Sequence, residues 1–574
     1  MLFLRRGALA LSLIAASALH AADSTKKAAP VSAVKSPTIP KLRGTAPELR
    51  MPMGTATQLI ATDFKLEPIT LQEALGRAFE HNLEARFDQV DIKISAARVR
   101  FAAGAFDPVF TTTASRESIQ RPDNTANLTQ ADSLLQQAQI IAIQENTRAI
   151  QIATGQPITP FAPINVARAV VFDQDADRFE SALQFRTPLG TRFQFAARQA
   201  KIRSTFSGDP RDVIPFYTAF GGIEVRQPLL KDFGPDANLA DLRTARVNAR
   251  VADLAWQKRL SDTAQQVMAT YFDMLFSLAD IAVRQDAINA DEKLVMQNQR
   301  RFELGFMTPF DVQQARAAVS QDREQLLLSK NAYLERQFLL KRLILEDYKL
   351  GADQIFVPVP IPDLPIPTTD RSALLRIAFE KRLDYRAAIT EAEVQDIRLK
   401  FARNQLWPQL DLVGSYGYNG LAFDYSTARE KAYHSQAPEW SVGVQFSIPL
   451  GNVQARAQLR AITGFKEQAL IKIKQVEQTV SIDVDTVLSR IETLRQRLET
   501  ARQTRSLNEE AVRIAIRQLE EGKISSFDVI ETQRRLYDAK SRELGARAEL
   551  NKAISQLWLA TGTMLEETGI TIKK

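Results

Sequence analysis

Few residues in this chain have the type and spacing that covalent chemistry needs. There is no cysteine, which removes thiol catalysis, disulfides, cysteine-held metals and a lipid anchor on a processed N-terminal cysteine. The only histidines are His20, His81 and His434, scattered along the chain, and they read as surface residues. No phosphate-binding glycine loop, zinc-ligand spacing or nucleophile elbow is present. The chain is therefore read as no enzyme, with no metal and no cofactor. What recurs is a pair of carboxylates in one setting. Gly305 is followed after five residues by Asp311-Val312, and Gly522 after five residues by Asp528-Val529. Thr308-Pro309-Phe310-Asp311 and Ser525-Ser526-Phe527-Asp528 both read as helix starts, where an acidic side chain satisfies free backbone N–H groups. Pro309 suits the first helical position.

The elements that place these carboxylates occur twice. Ala78-Phe79-Glu80-His81-Asn82-Leu83 matches Ala378-Phe379-Glu380-Lys381-Arg382-Leu383, an offset of 300, and Pro108 meets Pro408 at the same offset. Gly222-Ile223-Glu224-Val225 resembles Gly443-Val444-Gln445-Phe446, and the glycine–aspartate motifs lie 217 apart. The shrinking offset places a longer insertion in the first copy, between Pro108 and Gly222. Residues 69–349 and 370–562 are therefore two repeats, with a short tail at 563–574. The run Val357-Pro358-Val359-Pro360-Ile361-Pro362 lies in the connector between them, 350–369, and its alternating prolines dictate extended chain.

The N-terminus carries an address. Arg5 and Arg6 precede an apolar stretch over residues 8–19 and small residues at Ala21 and Ala22, which reads as an export signal over 1–22. Residues 23–68 are polar and rich in proline and read as an extended or disordered lead-in. The remaining sequence has no run of about 18 consecutive apolar residues. With 74 basic and 67 acidic residues, the mixed surface excludes a nucleic-acid footprint.

Each repeat reads as helix, strands, long helix, turn, helix. Thr70-Leu71-Gln72-Glu73 is a capping box that opens a helix running to about Phe106. Leu410, Leu412, Gly414, Tyr416 and Tyr418 alternate with small or polar residues, as do Val442, Val444, Phe446 and Ile448. Such alternation suits a barrel strand with one lipid face and one lumen face. Leu183 and Phe185, turning at Thr187-Pro188-Leu189-Gly190 towards Phe193 and Phe195, predict an extra hairpin in the first repeat. Residues 116–180 read as a large outer loop with a helix over 133–153. Neither Gly nor Pro occurs from 237 to 304, enough for a rod of about 100 Å at 1.5 Å per residue. Val312, Ala315, Val319, Leu326, Tyr333, Leu340 and Leu343 keep a seven-residue register. So do Val529, Leu536, Ala539, Ala546, Leu550, Ala553, Leu557 and Ala560, which predicts coiled-coil packing.

These motifs resemble the TolC family of outer-membrane efflux proteins across nearly the whole chain, most specifically at Gly305…Asp311-Val312 and over 522–540. Gly104-Ala105-Phe106-Asp107-Pro108 and Gln227-Pro228-Leu229-Leu230 look like a branch with a larger first hairpin. The resemblance implies an α+β membrane protein: a trimeric outer-membrane β-barrel continued by a long periplasmic α-helical coiled-coil barrel, with two internal repeats per chain. It implies four strands per chain in a shared twelve-stranded barrel, although the extra hairpin leaves that count open. It further implies a homotrimer that sits in outer-membrane lipid and receives cargo from an inner-membrane pump through a periplasmic adaptor, for efflux or type I secretion.

By the same resemblance, Asp528 and Glu531, with Asp311 in the matching turn, fall where the family places the acidic rings of its pore gate. For Asp528 and Asp311 the helix-cap role competes with this one, most strongly at Asp311. Glu531 lies further in and has no cap to make. A basic partner common in the family is missing, since Ile524 stands there. Gly305, Phe306, Met307, Gly522, Lys523 and Ile524 form the two turns and are candidates for adaptor contact, or else pack into the neighbouring helices. Tyr416, Tyr418 and Trp440 are candidates for an aromatic membrane girdle, or else plain strand residues. The competing function is a soluble periplasmic coiled-coil scaffold or adaptor, which needs the signal and the long helices but not the alternating strands.

Overall fold

The computed structural model describes residues 65–122, 128–157, 171–204, 215–366, 370–434 and 437–570. The expected signal, the lead-in up to residue 64 and the last four residues lie outside this set. In chain order the elements are β1 (Lys65–Ile69), α1 (Leu71–His81), α2 (Leu83–Ala103), β2 (Val109–Pro122), α3 (Leu128–Thr154), β3 (Val171–Arg186), β4 (Arg192–Ser204) and β5 (Phe216–Pro228). Then come α4 (Pro235–Asn238), α5 (Ala240–Glu303), α6 (Pro309–Ile344), β6 (Gln354–Pro358), α7 (Arg371–Lys381) and α8 (Leu383–Asn404). The last are β7 (Gln409–Ala422), α9 (Tyr425–Tyr433), β8 (Ala437–Ser447), α10 (Val453–Glu520), α11 (Ser526–Thr561) and α12 (Met564–Glu567). They form two compact units. One comprises Ala103–Ala240 with Lys400–Leu459, and the other the remaining described residues.

The second unit is helical around one apolar core. Every apolar member of both heptad registers is buried, from Val312 to Leu343 and from Val529 to Ala560. Two seats of these registers that are not apolar, Ser329 and Glu543, find polar partners. Ser329 donates to Asp280 Oδ2 at 2.5 Å, and Arg505 reaches Glu543 Oε2 at 2.5 Å. An 18-residue window of α5 is apolar enough to cross a membrane, but 61% of it is buried, so its apolar residues serve the core.

Two expectations are corrected in this unit. The lead-in does not reach residue 68, because 65–69 is strand β1. It pairs in parallel with β6, which the proline-rich connector supplies, from Lys65↔Gln354 to Ile69↔Pro358. The proline at the end of β6 spares the ladder, and the next N–H, of Val359, reaches Ile69 O at 3.0 Å. Tyr333 donates its hydroxyl to Phe356 O at 2.8 Å and Tyr271 to Val359 O at 2.6 Å, so both buried phenols pin this connector to α5 and α6. Burial pushes both hydroxyls well above the usual tyrosine pKa. The second correction concerns the opening helix, which is not continuous to Phe106. It breaks at Asn82 and, 300 positions on, at Arg382, each with extended backbone. Asn82 Oδ1 accepts from Ala85 N at 3.0 Å to restart the helix, while its Nδ2 donates to Leu343 O at 3.3 Å. Arg382 instead reaches Asp384 at 2.9 Å and Asp483 at 2.6 Å. Side-chain bonds local to one residue outweigh the helical propensity of its neighbours.

The other unit is built on a six-stranded antiparallel sheet in the order β2-β3-β4-β5-β7-β8. The resemblance implied four strands per chain. The extra hairpin, β3–β4, raises the number to six, with its turn at the expected Thr187–Gly190. The outer loop is also shorter than 116–180, because Arg116 pairs with Asp177 and Pro122 with Val171. The connection therefore begins after 122, and its helix is longer than expected, Leu128–Thr154. Among the described residues of the second repeat, α9 was not anticipated. Asp424 caps it, accepting from Thr427 N at 2.9 Å.

Candidate gate and docking site at the hairpin turns

Both long helices, α5 and α10, end in the same way. Gly305 and Gly522 adopt φ of +77° and +71°, a left-handed conformation that leaves glycine as the low-cost residue. The N–H of Phe306 then reaches Arg301 O at 2.8 Å, and that of Lys523 reaches Gln518 O at 2.8 Å, closing each helix with a Schellman bond. Two residues later the next helix starts with a capping box. Thr308 N donates to Asp311 Oδ2 at 3.0 Å and Asp311 N to Thr308 Oγ1 at 3.3 Å. Ser525 N donates to Asp528 Oδ2 at 3.0 Å and Asp528 N to Ser525 Oγ at 3.3 Å. The repeated glycine–aspartate spacing is thus a helix stop followed by a helix start. Bonds from the Ser525 hydroxyl and N–H hold the Asp528 carboxyl below the usual carboxylate range, so it stays ionised as the pH falls.

The two turns pack side by side. Leu294, Ala515, Leu519 and Val529 form a small buried cluster, with Met307, Ile524 and Ile530 against it. Met307 and Ile524 thus turn inward, whereas Phe306 is 80% exposed and Phe310 and Phe527 are also exposed. Lys523 is exposed and pairs with Glu521 at 2.6 Å. Buried Asn298 of α5 crosses to the other hairpin and donates to Ser526 Oγ at 2.6 Å. Arg301 donates to Leu519 O at 3.1 Å, placing a cation on the C-terminal carbonyls of α10. Neither contact is written in the sequence, since each joins residues more than 200 positions apart.

Glu531 has no capping bond, as its position implied. It is held instead by Arg534 and by Arg535, the latter at 3.1 Å. These partners stand three and four residues on, a spacing that was readable in the sequence. They supply the positive charge that the residue at 524 does not. In the other hairpin, on α5, burial and the nearby charge of Asp322 push the Asp291 carboxyl up to about 7.

The sheet shows where Tyr416, Tyr418 and Trp440 lie. Directly paired residues share a face, and one row runs Phe110, Leu183, Phe195, Ile223, Tyr416, Trp440 across all six strands. Tyr418 lies on the same face, its ring edge-on to Tyr416 at 5.3 Å. Trp440 is 70% exposed. The neighbouring row on the other face reads Val109, Gln184, Gln194, Glu224, Ser415, Ser441.

Comparison with known proteins decides what this architecture is. The family described as outer membrane efflux protein matches residues 220–344 and 374–563, more than half of the chain. The chain belongs to the outer membrane efflux protein family. It is similar to outer membrane protein TolC of Vibrio cholerae, 23% identical over 331 residues that cover 57% of this chain and 73% of that protein. Its fold is similar to that of the CmeC outer membrane channel of Campylobacter jejuni, with a TM-score of 0.57, 15% identity, and 87% and 86% of the two chains covered. The outer-membrane channel OprN gives a TM-score of 0.59 at 15% identity, covering 92% of this chain and 99% of that one. This efflux protein is accordingly an outer-membrane channel of efflux systems, a transport protein, with a periplasmic helical part. Membership implies partnership with a periplasmic adaptor and an inner-membrane pump. The scaffold reading is set aside.

Proposed function

We propose that three copies of this chain form one channel: their sheets close a barrel in the outer membrane, their helices form a periplasmic tunnel, and cargo from the pump and adaptor leaves through it. The observation that carries this reading is the apolar row Phe110, Leu183, Phe195, Ile223, Tyr416, Trp440 on one face of the sheet, set against a polar row on the other. Tyr416, Tyr418 and Trp440 act in it as the aromatic girdle. A second support is an uncovered seam on α2. Leu83, Phe87, Val90, Ile94 and Phe101 recur at coiled-coil spacing and are all exposed, which a neighbouring copy would cover.

The gate of this channel lies at the two turns. Asp528 and Glu531 from three copies converge on the axis, where like charges repel and a multivalent cation favours closure. Asp311 is chiefly a cap. Gly305 and Gly522 shape the adaptor surface, which Phe306 and Lys523 present and which Met307 and Ile524 support from beneath. Single-channel recording in planar bilayers tests the gate. Divalent or trivalent cations on the periplasmic side block the parent channel, and the double variant Glu531→Ala with Asp528→Ala is much less sensitive, while Asp311→Ala keeps the block. Equal block in parent and double variant contradicts the assignment.

A further inference from the structure

The sheet carries one hairpin more than the repeat requires. The sequence matches equate β2 with β7, through Pro108 and Pro408, and β5 with β8, through Gly222 and Gly443. β7 pairs directly with β8, whereas β3 and β4 separate β2 from β5. The family match begins only at residue 220, so the added hairpin lies outside it. We propose that β3 and β4 are part of the barrel wall, so that each copy contributes six strands and three copies close an eighteen-stranded barrel through pairing of β8 of one copy with β2 of the next. This rests on the trimer reading above and specifies the strand count and the closing contact.

The hairpin has the two faces of a wall. Leu183 and Phe185 of β3 face Phe195 and Phe193 of β4, with the rings of Phe185 and Phe193 stacked at 5.0 Å. They continue the apolar row of the other four strands in phase. On the opposite face Arg198 bonds Glu180 at 3.0 Å, joining β3 and β4 by a polar contact suited to water. The hairpin is also paired over its length, from Val109↔Gln184 to Pro122↔Val171 with β2 and from Arg192↔Arg226 to Ile202↔Phe216 with β5. A hairpin folded away from the wall would lose these ladders.

The edges name their own occupant. Among the described residues, β2 and β8 each have a strand on one side alone, and all residues of β8 are exposed. In the hydrocarbon of an outer membrane an unpaired edge leaves N–H and C=O groups with no water to bond. The six strands among the described residues fall short of the eight of the smallest such barrels, so this sheet does not close on itself. Because six is even and the sheet is antiparallel, β2 and β8 run in opposite directions. A second copy therefore meets the first with the antiparallel pairing used everywhere else in the sheet. With strands about 4.8 Å apart and tilted by about 40°, twelve strands make a ring about 24 Å across and eighteen about 36 Å. The added hairpin widens the exit by about half.

The natural absence of cysteine makes the test clean. Thr111→Cys, Thr113→Cys or Ser115→Cys on β2 is combined with Ser441→Cys, Gly443→Cys or Gln445→Cys on β8, and outer membranes are oxidised. One diagonal of this grid is expected to give covalent dimers and trimers on non-reducing gels. Within a copy, Thr113→Cys with Glu180→Cys is expected to join β2 to β3. Thr111→Cys or Thr113→Cys with Thr218→Cys or Glu224→Cys is expected to give nothing, because β2 and β5 are not neighbours. Native mass of the extracted channel counts the copies. A β2–β5 crosslink, or silence across the whole β2–β8 grid, overturns the proposal, and a three-copy mass beside either result leaves the trimer reading standing. A two-copy mass with the expected crosslinks overturns the count of eighteen and the trimer reading together.

Discussion

Replacing Asn298 by alanine should loosen the two hairpin turns while sparing the rest of the helices. Asn298 is fully buried, and its amide donates to Ser526 Oγ at 2.6 Å and weakly to Asp311 O at 3.4 Å, so one side chain ties both hairpins together. Ser526 is itself buried, at 2% exposure, so the lost donor is not made good by bulk solvent while the turns stay closed. Losing a buried hydrogen bond and stranding its partner costs about 1–3 kcal/mol. If the turns open locally, that cost appears as faster amide exchange, by a factor of about 5 to 150. Hydrogen–deuterium exchange read by mass spectrometry on peptides covering 294–311 and 515–531 measures it. The half-buried neighbour Gln299, whose side chain bonds Glu303 on its own helix, provides the control Gln299→Ala. Unchanged exchange at 515–531 in Asn298→Ala would refute the coupling, because a purely local role leaves the second hairpin untouched.

Three further outcomes follow from the structure. The Asp291 carboxyl is pushed up to about 7, so the folded state holds a proton that the unfolded chain has already released near the ordinary value of 3.8. Stability from this group is therefore lost as pH rises between those values, and Asp291→Asn should raise the melting temperature at pH 7.5 more than at pH 5; an equal effect at both would contradict the burial account. At Gly420 a Cβ would fall within 2.8 Å of Ala432 N and even closer to the Ala428 carbonyl, so Gly420→Ala should unseat α9 and make 424–434 sensitive to added protease, with wild-type resistance as the contrary result. Since Pro122 pairs directly with Val171, replacing 123–170 by a four-residue turn should leave outer-membrane assembly intact, and loss of assembled protein would show that the connection belongs to the wall.

Local and periodic information was legible in the sequence. The heptad seats of α6 and α11 are decided by burial against neighbouring helices, and their spacing alone identified them. The capping boxes at Thr70, Thr308 and Ser525 involve residues three apart and were equally plain. The turn at Thr187–Gly190 also announced its hairpin. What stayed hidden depends on distant partners. The parallel pairing of β1 with β6 joins residues nearly 300 apart, and nothing in Lys65-Leu66-Glu67 marks it. The breaks at Asn82 and Arg382 each rest on a single residue whose side chain finds bonds elsewhere, so the helical pattern on either side concealed them. α9 is short and polar, with only Asp424 as a signal. At the candidate site the motif gave the turns, but the inward packing of Met307 and Ile524 and the Asn298–Ser526 tie needed both hairpins in place.

The most direct test of the account is the state of the full-length protein after expression in a Gram-negative host. Membranes are separated on a density gradient, extracted in mild detergent and weighed by native mass spectrometry. The account predicts that the protein sediments with the outer membrane and yields a species of three chains that heat dissociates. A monodisperse soluble monomer released with the periplasm would contradict it.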